Sequence, residues 1–251
     1  MLIENSVLES KRQLGERIFQ IIVHSPKIAK LAKPGQFCNI KVSESDFPLL
    51  RRPFSISDVD NNSIFFLFDI HGEGTKILSQ KRVGDALDIL GPLGNGFDIY
   101  GDFETAIFVA GGLGSAPFPF LAKALSDKKI ISFVGARNLD LLLHEDIPTP
   151  HIATDDGTLG FKGSVVELLT DFIAQNDLKK FRIFSCGPNP MLKALQKYSI
   201  DNNLDCQISV ECAMACGFGI CQGCPIVTSN GDTYKLVCKD GPVFNAKDVI
   251  L

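Results

Sequence analysis

The sequence predicts a multidomain α+β chain with an antiparallel β-barrel over residues 1–98, an α/β parallel-sheet unit over 99–210 and an irregular cysteine-rich region over 211–251. Three observations carry this. Short β-type runs broken by turn residues fill the stretch up to about residue 98. Beyond Gly101, fully apolar runs alternate with runs of helical period, which is the pattern of a buried parallel sheet. Finally, five of the eight cysteines, Cys212, Cys216, Cys221, Cys224 and Cys238, fall close together near the C-terminus.

In the first unit the β-type runs are 18–23, 37–42, 53–57, 64–70 and 86–90. At the start of one of them, Arg51-Arg52-Pro53-Phe54-Ser55 sets two cations and a hydroxyl side by side. A buried arginine there requires an anion, and a phosphate would serve. Two glycine-rich segments follow, His71-Gly72-Glu73-Gly74-Thr75 and Gly91-Pro92-Leu93-Gly94-Asn95-Gly96. Hairpin turns account for each about as well as ligand binding does.

In the second unit, strands are predicted at 106–110, 130–134, 181–185 and 205–210, and helices at 116–125, 165–174 and 190–198. Gly111-Gly112-Leu113-Gly114-Ser115-Ala116-Pro117 follows the first strand and opens a helix, the context in which glycines let the backbone approach a pyrophosphate. Pro117 stands where a third glycine would be, and a tight turn without ligand explains the segment equally well. Cys186-Gly187-Pro188-Asn189-Pro190-Met191 ends another strand at the sheet edge where a ligand's reactive end should lie. Thr154-Asp155-Asp156-Gly157 could contact a ribose, but a chain turn is the favoured reading.

The most specific signal is Cys216-x4-Cys221-x2-Cys224 with Cys238 downstream, the plant-type ligand spacing of a [2Fe-2S] cluster. Gly217, Gly219 and Gly223 would permit positive φ and turn backbone N–H groups towards sulfur. A zinc knuckle is the competing reading, but it usually presents two separated cysteine pairs. Cys212 lies outside the complete register and reads as a packed thiol.

Composition bounds the partners. The chain has 251 residues, 45% hydrophobic and 22% charged, with a net charge of −4 and no long run of like charge, which argues against nucleic acid. The N-terminal residues lack a basic start followed by an apolar stretch, and no apolar run reaches the roughly 20 residues that span a bilayer. The expected compartment is the cytoplasm, where eight cysteines are not expected to form a disulfide framework.

Taken together, RRPFSISD, GEGT, GPLGNGF, GGLGSAP, ATDDGTLGFKG, CGPNPML and ECAMACGFGICQGCP resemble the ferredoxin reductase-type flavoprotein superfamily. More narrowly they are similar to the electron-transfer subunits of NAD-dependent class 1B dihydroorotate dehydrogenase. The resemblance covers nearly the whole chain. It implies FAD, a [2Fe-2S] cluster and NAD as cofactors. Arg52, Pro53, Phe54 and Ser55 would form the flavin and pyrophosphate segment; Leu67, Phe68 and Asp69 would line the next strand by the FAD; Gly74 and Thr75 would cap its phosphates. Gly112, Gly114, Cys186, Gly187 and Pro188 would border the nicotinamide dinucleotide, and Cys216, Cys221, Cys224 and Cys238 would ligate the cluster. Two positions depart from the pattern: Asp69 stands where a basic residue is expected, and Phe54 lacks the hydroxyl of tyrosine.

The implied role is a relay. A separate FMN-containing subunit, two copies of each chain assembling together, would oxidise dihydroorotate to orotate in pyrimidine biosynthesis, and electrons would pass through the cluster and FAD to NAD⁺. The alternatives are the same module serving a hydrogenase, a sulfide dehydrogenase or a ferredoxin:NADP oxidoreductase, and, from a different class, a zinc-bound interaction protein.

Overall fold

The computed structural model describes every residue of the chain except position 145. Strands β1 (Leu2–Gln13), β2 (Ile18–His24), β3 (Phe37–Lys41), β4 (Arg52–Asp60), β5 (Ser63–Asp69) and β6 (Ala86–Leu93) close into an antiparallel barrel in the order β1-β2-β5-β4-β3-β6. Side chains alternate across a strand, so Ile64, Phe66 and Phe68 of β5 point inward with Ile21, Ile40, Ile56 and Ile89 from its neighbours. Closure removes the exposed strand edges an open sheet would carry.

Strand β1 was hidden from the hydrophobic pattern because two of its inward positions, Glu4 and Ser6, are polar. The Glu4 carboxylate accepts hydrogen bonds from Ser25 Oγ at 2.7 Å and from the backbone N–H groups of Ile28 and Lys27 at 3.0 and 3.2 Å. These are the orphan donors at the start of α1 (Pro26–Leu31), a helix too short to show a period. A second helix, α2 (Glu73–Gln80), forms where the glycines had favoured a loop, with Gly74 inside its first turn.

The second unit contains β7 (Thr105–Gly111), α3 (Phe118–Ala124), β8 (Lys129–Ala136), β9 (Pro150–Thr154), β10 (Phe161–Lys162), α4 (Val165–Gln175), β11 (Phe181–Cys186), α5 (Asn189–Asp201) and β12 (Cys206–Ser209). Strand β7 is buried along its whole length, as a central strand covered on both faces must be. The sheet order is β10-β9-β8-β7-β11-β12 and the pairings are parallel, so the chain moves outward from β7 on one side and then returns to β11 on the other. Register sets Gly111 opposite Gly135 and Ala110 opposite Cys186, bringing the carboxyl ends of the central strands into one line at this switch point.

Residues 211–251 are less irregular than expected. They form a hairpin of β13 (Pro225–Val227) and β14 (Tyr234–Leu236), and β15 (Val243–Asn245) joins the main sheet antiparallel to β12. Strands of three residues are too short to leave a period. Leu90 and Leu93 of the barrel share a core with Cys224, Ile226, Leu236 and Cys238. The segment Gly94–Gly96 is part of this seam. Gly94 has φ +73°, and a Cβ there would stand 2.6 Å from the Gly241 carbonyl oxygen, while Asn95 Nδ2 donates to the Lys239 and Asp240 carbonyls at 3.1 and 3.2 Å. Its glycines serve packing and turning.

Candidate cofactor and dinucleotide sites

In the cysteine-rich loop, Gly217 and Gly219 adopt φ of +81° and +91°, and Gln222, not Gly223, supplies the third left-handed residue at φ +56°. These reversals turn consecutive amides inward. Burial works to raise the Cys216 thiol, but the amides of Cys221, Phe218 and Ile220 favour its thiolate and bring it down to about 6. The Cys221 amide lies 3.4 Å from Cys216 Sγ. The loop is held on the barrel by Asn39 of β3, whose Nδ2 donates to the Cys216 carbonyl at 3.1 Å and leaves room only for a glycine at position 217.

Cys224 and Cys238 are buried, with their sulfurs 3.2 Å apart. Burial first, and then the neighbouring Cys224 thiol, raises Cys238. A [2Fe-2S] core has two irons and takes its thiolates in pairs. Pairs are what the chain presents, Cys216 with Cys221 and Cys224 with Cys238. The donor set fits a [2Fe-2S] cluster. Cys212 packs partly buried against the same core, its thiol raised to about 12 by burial and then by Cys224.

On the barrel the two adjacent arginines separate in role. Arg51 pairs with Asp88 at 2.8 Å, whereas Arg52 lies against the first turn of α2. A Cβ on Gly74 would come within 2.6 Å of Arg52 Nε, so the missing side chain is what lets this guanidinium approach the helix N-terminus. Thr75 Oγ1 accepts from the His71 amide at 2.8 Å and fixes that turn. A cation beside the free donors of a first turn fits a phosphate. Pro53, Ser55, Leu67 and Asp69 are partly exposed, but Phe54 and Phe68 are buried in the barrel core with ring centroids 5.6 Å apart. Interior packing explains why position 54 carries phenylalanine without a hydroxyl. The cation expected at position 69 comes from the turn between β1 and β2: Arg17 approaches Asp69 at 3.2 Å.

At the carboxyl ends of β7, β8 and β9 lies a cavity of about 550 Å³, walled by Gly111, Gly112, Arg137, Asp155, Pro188 and Met191 among others. A second, of about 600 Å³, lies between the barrel and the sheet and is bounded by Arg17, Asp69, Leu113 and, again, Gly112. Gly112 has φ +51° and nothing within 4 Å of where its Cβ would be. It faces open space shared by both cavities. Gly114 does not. A Cβ there would run into the carbonyl of Cys186, so this glycine is required by the chain's own packing. Cys186 is buried, and Gly187 and Pro188 carry the strand end out to the cavity, with Pro188 on its wall.

Three residues at these sites escaped the sequence reading. Arg17 and Arg137 had no motif around them. Glu211 opens the ECAMAC segment; its side chain reaches solvent, yet the protein around it desolvates the carboxyl and raises it. It faces Cys186, whose thiol is raised by burial and then by the Glu211 charge.

Comparison with known proteins agrees with this assembly. Residues 211–250 match the family model for the iron-sulfur cluster binding domain of dihydroorotate dehydrogenase B. The chain is 38% identical over 245 residues, covering 96% of both proteins, to a relative from Caldanaerobacter subterraneus named dihydroorotate dehydrogenase B (NAD(+)), electron transfer subunit. It is 40% identical over 253 residues, again 96% of each, to the Bacillus pumilus protein of the same name. Among solved structures, one described as an NADH-dependent reduced ferredoxin-NADP oxidoreductase superposes with a TM-score of 0.87 at 28% identity, over 98% of this chain and 90% of the other. A ferredoxin NADP⁺ reductase from Neisseria gonorrhoeae shares the fold, with a TM-score of 0.66 at 14% identity over 79% and 91% of the two chains.

Proposed function

The chain belongs to the family of electron transfer subunits of dihydroorotate dehydrogenase B (NAD(+)), and on that footing we infer that it relays electrons between a catalytic partner subunit and NAD(H). The observation that carries this is the pairing of Cys216 with Cys221 and of Cys224 with Cys238 on a loop seated against the flavin-type barrel. When bound, FAD exchanges electrons singly with a [2Fe-2S] cluster and in pairs, as hydride, with NAD⁺.

The chain's own residues bind and orient. Cys216, Cys221, Cys224 and Cys238 hold the cluster, and the inward amides of the loop offset its negative charge. Arg52, Gly74 and Thr75 receive the FAD phosphates at the start of α2, and Pro53, Ser55, Leu67 and Asp69 lie along its course. Phe54 and Phe68 support that surface from inside the barrel. Gly112, Gly187 and Pro188 admit the dinucleotide at the switch point, and Gly114 and Cys186 set the strand-to-helix turn behind it. The units 1–98, 99–210 and 211–251 thus divide flavin, dinucleotide and cluster binding.

The partner is an FMN-containing subunit that oxidises dihydroorotate to orotate, two copies of each chain forming the complex. The reading extends to the cytoplasm as its compartment, supported by eight cysteines none of which is in a disulfide. The 0.87 superposition favours a second reading, the same module serving a ferredoxin:NADP oxidoreductase. One experiment separates them. The purified chain is expected to reduce an artificial dye with NADH, to leave dihydroorotate untouched, and to support dihydroorotate:NAD⁺ activity once combined with the FMN subunit. Failure to gain that activity from an assembled complex would sink the dihydroorotate assignment.

A further inference from the structure

The geometry points to Arg17 as the group that takes the diphosphate of a bound dinucleotide at the seam between barrel and sheet, supplying from the turn between β1 and β2 the cation that β5 lacks at Asp69. The inference rests on the reading of this seam as the place where flavin and nicotinamide dinucleotide meet. The turn closes where the Leu14 amide donates to the Ile18 carbonyl at 2.8 Å, and Ile18 pairs in register with Asp69, so Arg17 emerges beside the end of β5. The attachment runs both ways. The Ile70 amide donates to the Arg17 carbonyl at 2.9 Å, and Arg17 Nε donates to the Ile70 carbonyl at 3.1 Å. Nη2 donates to that same carbonyl and, at 3.3 Å, to Asp69 Oδ2.

A guanidinium gripped along its Nε and Nη2 edge is oriented but not used up. Its Nη1 donors have no partner among the described residues, and the side chain stays 56% exposed on the 600 Å³ cavity. Asp69 is then a positioning residue that holds the fork. Gly112 walls the same cavity with φ +51° and nothing within 4 Å of where its Cβ would be, so a ligand there can come against bare backbone. The other charged groups of the wall are the acids Glu16, Asp69 and Asp140, and Arg17 is its one cation among the described residues. Without it the wall would repel a phosphate.

Arg52 does not serve this wall. It lies against Gly74 in the first turn of α2, beyond the three-residue link 70–72 that joins β5 to that helix. The link therefore carries a guanidinium at each end, Arg17 before it and Arg52 after it, an arrangement that suits a diphosphate better than a single phosphate.

FAD and NAD(H) both carry a diphosphate, and two titrations of the purified cluster-bearing chain tell them apart: FAD release on dilution, followed by flavin fluorescence, and ADP-ribose binding, followed by calorimetry. ADP-ribose has no nicotinamide, so neither readout depends on turnover. Arg17→Ala, and Arg17→Gln, which keeps a donor for the Ile70 carbonyl, should each weaken at least one ligand about tenfold or more. The loss falls on FAD if the diphosphate is the flavin's and on ADP-ribose if it is the nicotinamide dinucleotide's. Asp69→Arg added to Arg17→Ala returns a cation to β5 without restoring the ion pair, and should recover the affinity to within about threefold. Iron per chain checks that each variant is folded. Both affinities unchanged within about twofold in the Arg17 variants, or a loss that Asp69→Arg leaves unrecovered, would overturn the assignment. A parent that retains no FAD and binds no ADP-ribose would instead overturn the cofactor reading of the seam on which the assignment stands.

Discussion

Glu4 joins the first strand to the first helix through a carboxylate that has left water. Burial alone would raise its pKa, but the Ser25 hydroxyl and the Ile28 and Lys27 amides outweigh it and hold the pKa below the usual glutamate value. A folded-state pKa below the unfolded one contributes stability that is present above the unfolded value and lost as pH falls through the folded one. Glu4→Gln should therefore destabilise the chain by about 1–3 kcal/mol at neutral pH, and the difference between variant and parent should shrink below about pH 4. Urea unfolding at the two pH values measures this. A cost that stayed constant with pH would mean the carboxylate is not the operative group. No sequence pattern announces this residue, because a glutamate in an alternating segment reads as an outward position.

At the scale of an element, the strand-to-helix turn after β7 shows how two glycines of one motif come to do different things. Gly114 is enclosed by the Cys186 carbonyl and Gly187, while Gly112 faces open cavity at φ +51°. Gly114→Ala should lower the melting temperature, because a Cβ must displace backbone, at a cost of about 1–3 kcal/mol. Gly112→Ala carries only the strain of a left-handed alanine, on the order of 1 kcal/mol, and should weaken binding of NAD⁺ more than it affects stability. Thermal melts and NAD⁺ titration of the two variants check the contrast. Equal effects on both readouts would mean that the turn acts as one rigid unit. The glycine-rich strand-to-helix context made the turn legible, but both glycines look alike in sequence, and which one faces the cavity depends on what β11 brings alongside.

On the scale of the whole molecule the cysteine-rich region is wedged between the other two. Its β15 extends the sheet, Asn95 and Gly94 fasten it to the barrel, and Asn39 holds the cluster loop. Cys221 is exposed on that loop, while Cys224 and Cys238 are buried beneath it, so the paired thiols reach from the core to the surface. Cys221→Ser should abolish the cluster and with it dihydroorotate:NAD⁺ activity in the assembled complex, while NADH:dye activity through FAD largely persists. Cys212→Ser should keep about two irons and two labile sulfides per chain. Iron and sulfide analysis alongside both activities on one preparation decides it: parental dihydroorotate activity without a cluster would exclude the relay.

The sequence by itself determined the barrel, the parallel sheet and the four-cysteine spacing near the C-terminus. Alternation, helical period and ligand spacing are properties of neighbouring residues along the chain, and local geometry turns them directly into structure. Tertiary structure alone decided that Arg52 meets Gly74, that Arg17 supplies the charge beside Asp69, that Phe54 turns into the core, and that Arg137 and Asp155 share a cavity lip. Each of these joins positions on different elements. Their meeting is fixed by strand register and by packing across the sheet, which no local period along the chain records.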